Sequence, residues 1–304
     1  MDRERSPAVT DRDLPMTPAQ QLSTLIAAPG CTLIPGAYDA WTARLVAQAG
    51  FGACYMTGFG VSGAFLGAPD IGLMTATQMA DNAARMADAA GIPIVADGDT
   101  GYGNVLNVRH TVAAYRRAGV AAIQLEDQDF PKRCGHLAGK QVIAAAEMAA
   151  KIKTAKDTAG DAVLVIARTD SRSTHGLDEA IDRGLSFRDA GADVVFIEAP
   201  IDRDEMHTIC RRVTGVPLLA NIVEGGKTPY LDADTLAGIG YQLAIYPLSL
   251  LITATRAMRA TLGDLRAQGK APDHLQGGFD DMCETAGLEA YMRYAERQET
   301  GAAS

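Results

Sequence analysis

Several features are scarce or missing in this 304-residue chain, and each absence removes a class of function. No Lys/Arg-dense run occurs and the net charge is −9, which argues against a nucleic-acid binder, because such proteins need a basic footprint. No apolar stretch approaches the roughly 18 residues of a membrane-spanning helix. The opening MDRERSPAVTDRDLPM mixes charges of both signs without an apolar run, so no secretory signal is read there. The cysteines (Cys31, Cys54, Cys134, Cys210 and Cys283) are odd in number and far apart, with no Cys-x-x-Cys pair. That pattern is neither a disulfide framework nor a zinc site, and it points to a reducing, cytoplasmic compartment.

What is present is a recurring alternation. Short apolar runs at 32–38, 53–57, 92–97, 121–127, 164–169, 193–199, 217–223 and 242–248 read as strands. Their hydrophobicity is continuous rather than alternating, as in parallel strands covered on both faces. Helix-period segments lie between them, several closing in Ala-Gly at Gly50, Gly91, Gly119 and Gly191, where glycine serves as a left-handed helix stop. This α/β pattern of strand–helix repeats predicts a (β/α)8 TIM-type barrel, preferred on strand count over an open doubly wound sheet. The expected division is a flexible tail over 1–18, a catalytic barrel over 19–250, and a C-terminal helical extension over 251–304 that caps the barrel or packs on another subunit.

Gly58-Phe59-Gly60-Val61-Ser62-Gly63 matches a dinucleotide fingerprint literally. The residues from Gly63 to Thr75 read as a loop, whereas the fingerprint needs a helix at once, so a nucleotide site is set aside.

The strand ends collect polar groups: Asp39, then Asp70 in the following loop, Asp97 and Asp99, Glu126 and Asp127, Arg168 and Asp170, Glu198, Asn221 and Glu224. In a barrel these ends share one mouth, where barrel enzymes keep their chemistry. Asp39 and Asp170 have a plainer reading as helix N-caps. Asp97, Asp99 and Glu126, on adjacent strands, can converge on a hard cation, for which Mg²⁺ is the best fit and Mn²⁺ a substitute. The alternative is a carboxylate cluster neutralised by Arg168 and Lys132 alone. Cys134 stands in PKRCGH beside Lys132, Arg133 and His136, cations that favour a thiolate, so it reads as nucleophile or acid/base. Cys54 and Cys210 read as small buried hydrophobes.

These segments resemble the isocitrate lyase and phosphoenolpyruvate phosphonomutase superfamily. The carriers are PGAYDA, GAPDIGLMT, VADGDTGYGN, QLEDQ followed by KRCGH, IARTD, FIEAP, and NIVEGGKTP followed by YPLS, in order over roughly residues 30–250. The resemblance implies a barrel whose last helix is exchanged between subunits of a dimer or tetramer. It implies Mg²⁺ at Asp97, with Asp99 and Glu126 acting mostly through water and Asp70 nearby. Thr57, Gly58 and Phe59 would meet a 2-keto-acid portion, Arg168 its carboxylate, and Lys132 to His136, including Gly135, would form the gating loop. Glu198, Asn221 and Val223 complete the implied substrate site.

A Cys in this loop marks the carbon–carbon lyases of the superfamily. The implied reaction is cleavage of a 2-hydroxy dicarboxylate by a retro-aldol or retro-Claisen step to a 2-keto acid and a carboxylic acid. Cys134 would donate the proton, and Tyr55, Glu126 or a metal-bound water would be the base. Methylisocitrate lyases tend to carry a hydroxyl where Val223 stands and an Arg where the alignment puts Ile252. An apolar wall cannot compensate a third carboxylate, so 2,3-dimethylmalate or another 2-alkylmalate is the expected substrate, yielding pyruvate. Arg256 or Arg259 could restore that charge from one or two helical turns away. A 2-methylisocitrate or isocitrate lyase, an oxaloacetate hydrolase or decarboxylase, and, more remotely, a phosphonomutase are the alternatives.

Overall fold

Eight short strands, nearly all of whose residues are buried, lie side by side in parallel: β1 (Thr32–Ala37), β2 (Cys54–Met56), β3 (Ile94–Asp97), β4 (Ala122–Glu126), β5 (Leu164–Thr169), β6 (Val194–Ile197), β7 (Leu219–Asn221) and β8 (Leu243–Tyr246). The structure is a computed structural model that describes residues 15–133, 135 and 139–300. The strand order is β6-β5-β4-β3-β2-β1-β8-β7. A parallel bridge between Val195 and Leu218, with Val195 N–H donating to the Pro217 carbonyl at 3.0 Å, joins the two ends and closes the barrel. Every residue of β2, β3, β4, β6 and β7 is buried, which is why these segments carry no polar alternation.

The helices are α1 (Pro18–Ala27), α2 (Ala40–Gln48), α3 (Gly58–Leu66), α4 (Ala76–Ala90), α5 (Val105–Arg117), α6 (Ala145–Ala159) and α7 (Arg172–His175). They continue as α8 (Leu177–Asp189), α9 (Arg203–Arg212), α10 (Ala233–Ile239), α11 (Ser249–Gln268), α12 (Gly278–Ala286) and α13 (Leu288–Thr300). Two apolar layers result. Ile34, Tyr55, Val95, Ile166, Phe196 and Leu243 fill the barrel interior, while Met56, Val112, Tyr115, Phe187 and Ile197 pack between strands and helices. The Ala-Gly joints behave as expected, with left-handed φ values of 84° at Gly50, 64° at Gly91, 76° at Gly119 and 102° at Gly191.

One element was not read from the sequence, and two expectations need correction. Helix α1 begins where the tail was expected to end, with a capping box from Thr17 and Gln20, and its Leu22 joins the barrel interior at the strand-start end. The tail expected over 1–18 lies mostly outside the described residues. Second, the loop expected after Gly63 is partly helix. Helix α3 opens at Gly58 under a Thr57 cap and runs to Leu66. Two of its glycines are close-approach points: a Cβ on Gly58 would stand 2.5 Å from Asp97 Oδ2, and one on Gly60 2.9 Å from Tyr38 Cβ. Third, Asp170 is not a cap, since α7 has no side-chain cap bond. Asp39 is one: its Oδ1 accepts from Thr42 N–H at 2.7 Å.

The C-terminal helices α11 to α13 bury no residue completely. Phe279 is 80% exposed and Tyr291 68%. Helix α12 is tied to α2 by Arg44 donating to the Ala286 carbonyl and Gln48 to that of Thr285. Among the described residues, no helix is long and apolar enough to cross a membrane.

Candidate active site

The C-terminal strand ends converge as the barrel demands. One cavity there is lined by Tyr55, Thr57 and Phe59, by Asp70, Asp97, Glu126, Lys132 and Arg168, and by Arg133, Gly135, Asn221 and Val223. Gly58 adjoins it through Asp97, whose Oδ2 accepts the Gly58 N–H at 3.2 Å, so the positive end of α3 faces a carboxylate. The Asp97 main-chain carbonyl is fixed by the Tyr115 hydroxyl at 2.8 Å. Asp99 adopts a left-handed φ of 46°, held there because its N–H donates to Asp97 Oδ1 and its carbonyl accepts from Glu126 N–H.

The electrostatics follow from burial. Lys132 Nζ lies 2.5 Å from Asp70 Oδ1 and 2.8 Å from Asp99 Oδ1. Burial opposes its charge, but Asp99 and Asp70 outweigh that and keep it protonated. Burial, with Asp99 beside it, pushes the Asp97 carboxyl up to about 6. Glu126 is pushed well above the usual carboxylate range by burial even though Arg168 Nε sits 3.4 Å from its Oε2. Burial and then the Asp97 charge push the Tyr55 phenol well up, and its hydroxyl donates to Gln124 Oε1 at 3.2 Å. Tyr55 is therefore a hydrogen-bond donor in this site, an unsuitable base.

A cation fits these donors by type: they are oxygen-only, and Glu126 Oε1 is buried with no hydrogen-bond partner among the described residues. As the side chains lie, however, no three described carboxylate, imidazole or thiol groups gather closely enough to hold an ion. The Lys132 ammonium takes the place between Asp70 and Asp99, and Arg168 faces Glu126.

Arg168 stacks on Phe196, 5.1 Å from the ring centroid, and lies 3.6 Å from Glu198 Oε2, which also accepts from Asn221 Nδ2 at 3.1 Å. Opposite stands an apolar wall of Phe59, Val223, Ile245, Pro247 and Leu248. Ile252, Arg256 and Arg259 are not among the residues that line this cavity, and both arginines are exposed. Cys134 and His136 lie outside the described residues. Burial pushes the Cys31, Cys54 and Cys210 thiols up to about 12, away from thiolate character.

Sequence reasoning missed Gln124, Gln128, Lys140 and Leu248. Gln128 grips the Arg133 main chain twice, donating to its carbonyl at 2.8 Å and accepting its N–H at 2.9 Å. Its adjacency to Glu126 and Asp127 was the only available signal.

A closed parallel barrel with buried carboxylates, one guanidinium and an apolar wall at its C-terminal mouth defines an enzyme acting on small carboxylates. The chain belongs to the phosphoenolpyruvate phosphomutase family, whose pattern it matches over residues 22–266. It is 43% identical to the 2,3-dimethylmalate lyase of Eubacterium barkeri over 94% of this chain and all of that one. It is also 43% identical to the chloroplastic carboxyvinyl-carboxyphosphonate phosphorylmutase of Arabidopsis thaliana, over 90% of this chain and 82% of that one. The crystal structure of a 2,3-dimethylmalate lyase, a PEP mutase/isocitrate lyase superfamily member, superposes with a TM-score of 0.89 at 36% identity, over 93% and 96% of the two chains. A phosphonopyruvate hydrolase complexed with oxalate and Mg²⁺ gives 0.81 at 29% identity, over 92% and 98%.

Proposed function

We propose that this protein is a Mg²⁺-dependent carbon–carbon lyase that cleaves 2,3-dimethylmalate or a related 2-alkylmalate to pyruvate and a carboxylic acid. The observation that carries the reading is the two-sided cavity. Arg168 and the loop residue Arg133 offer sites for two carboxylates, and Val223, Pro247 and Leu248 offer only hydrocarbon where a third would sit. The dimethylmalate lyase likeness supports the same substrate class. The phosphorylmutase relative, equal in identity, keeps phosphoryl transfer as the second reading.

Asp97 would hold the divalent ion directly, with Asp99 and Glu126 reaching it mostly through water, and the ion would supply positive charge for the hydroxyl and carboxylate oxygens of the substrate. Arg168, locked on Phe196, receives the carboxylate of the 2-keto-acid half. Glu126 is the remaining side-chain candidate for the base, because Tyr55 holds its proton too tightly. A proton taken from the substrate hydroxyl allows the C2–C3 bond to break, and the electron pair passes to the departing fragment. That fragment leaves as an enediolate whose charge Lys132, Arg133 and His136 stabilise and whose carbon Cys134 protonates. The extension over 251–304 serves assembly: the exposed Phe279 and Tyr291 suit a helix exchanged between subunits of a homodimer or homotetramer. A cytoplasmic location accords with the unpaired cysteines.

Assaying 2,3-dimethylmalate, 2-methylisocitrate, oxaloacetate and phosphonopyruvate side by side, with detection of pyruvate, tests the reading. Turnover of dimethylmalate that Cys134→Ala abolishes supports it, and preferential turnover of phosphonopyruvate overturns it.

A further inference from the structure

Asp170 was open to a bland reading as a helix cap, yet its carboxylate is completely buried and committed elsewhere. Its Oδ2 accepts from Arg168 Nε at 2.9 Å and its Oδ1 from Arg168 Nη2 at 3.1 Å, a two-pronged pair that fixes the guanidinium plane. The same Oδ1 takes the Lys140 ammonium at 2.6 Å. Lys140 is itself buried, and its Nζ also donates to the Gly135 main-chain carbonyl at 2.5 Å. Gly135 in turn lies directly on the guanidinium: a Cβ there would collide with Arg168 Nη2 and stand 3.0 Å from Glu198 Cδ. Gly135, Lys140, Asp170 and Arg168 therefore form a closed ring of contacts.

Burial alone would push the Asp170 carboxyl up, but Arg168 and Lys140 outweigh it and hold it down to about 2, so it stays ionised. Asp170 N–H is anchored on Asp127 Oδ1 at 2.9 Å, which leaves the carboxylate little freedom to follow a displaced partner. Removing the lysine would strip one of two cations from a buried anion and free the Gly135 carbonyl at once.

We propose that Lys140 is a positioning residue that acts through Asp170, locking the plane of Arg168 and the main chain at Gly135 to one another. The inference rests on the reading of Arg168 as the site of the substrate carboxylate. A lysine with this role sets the affinity for a carboxylate ligand, whereas a mere counter-ion for buried acids would set only stability.

The test is calorimetric binding of oxalate, in the presence of Mg²⁺, to the full-length wild-type protein and to Lys140→Met, Asp170→Asn and the double variant. Lys140→Met, which spares the Arg168–Asp170 pair, is expected to fold and to bind oxalate at least tenfold more weakly. The double variant is expected to bind within about threefold of Asp170→Asn alone, because both changes act on one guanidinium. Affinity within twofold of wild type in Lys140→Met, whatever its unfolding midpoint, would overturn the proposal, and so would penalties that multiply in the double variant. Should Lys140→Met fail to fold, Lys140→Gln, which keeps a donor without the charge, is held to a threefold threshold. Oxalate binding does not depend on which hydroxy acid is cleaved. A wild type that binds oxalate but cleaves no alkylmalate thus defeats the proposed function and leaves the ring to be judged by the cycle. A wild type that binds no oxalate removes the carboxylate role of Arg168 and this proposal with it.

Discussion

Lys132 and Lys153 each meet an aspartate, and the two pairs do opposite things. Lys153 reaches Asp157 one turn along α6 at 2.9 Å, with both side chains about two-thirds in water. Solvent and salt screen that attraction, and freezing two long side chains offsets most of what is left. Lys132 is 3% exposed and stands between Asp70 and Asp99, which are also buried. No solvent compensates either side there, so the arrangement exists only while all partners are in place. The lesson is that this barrel concentrates its uncompensated charge at one mouth, where a ligand or an ion can use it.

The largest effect should come from breaking the buried side. Lys132→Ala leaves two aspartates facing each other and should cost about 3–5 kcal/mol of unfolding free energy in EDTA-treated protein. Urea titration measures this, and Mg²⁺ should restore part of it, because a divalent ion replaces the lost charge.

The next is a pH effect. The Asp97 carboxyl titrates near 6 in the folded, metal-free protein against an ordinary 3.8, so its folded form holds a proton the unfolded chain has released. Its contribution favours folding below pH 4 and is lost as pH rises through 6. Asp97→Asn removes this penalty. In EDTA the variant should be more stable than wild type at pH 7, by at most roughly 3 kcal/mol, with the advantage shrinking as pH falls to 4. A gap that stays constant with pH would contradict the burial account.

On the opposite side of the cavity, Leu248→Arg places a guanidinium where Leu248 and Val223 now present hydrocarbon. The ratio of kcat/KM for 2-methylisocitrate over 2,3-dimethylmalate should rise by about tenfold or more, read from paired steady-state assays. The smallest effect belongs to the surface pair: Lys153→Ala should change stability by less than about 0.5 kcal/mol.

Legibility in the sequence followed the same division. Every strand and the acids that end β3 and β4 could be read, because fully buried parallel strands leave a continuous apolar run with an abrupt polar end. The glycine joints could be read because a left-handed residue has few chemical solutions. Helix α3 could not, since three glycines lower its intrinsic propensity and only contacts with Asp97 and Tyr38 explain Gly58 and Gly60. Helix α1 was hidden because its one fully buried leucine, Leu22, fits a tail as well as a plug. Lys140 was invisible, and the role of Asp170 misread as a cap, for a deeper reason: nothing local distinguishes a lysine that meets a distant carboxylate from one that meets water. Leu248 was missed because it lines the cavity just past the end of β8, where nothing local sets it apart from its neighbours.

The most direct test of the central claim is pyruvate formation from 2,3-dimethylmalate by the wild-type protein, followed with Mg²⁺, after EDTA, and after Mg²⁺ is returned. The account predicts turnover that stops with chelation and recovers with the metal, at a kcat/KM above those for 2-methylisocitrate and phosphonopyruvate. No pyruvate from dimethylmalate under any of these conditions, alongside turnover of phosphonopyruvate, would contradict it.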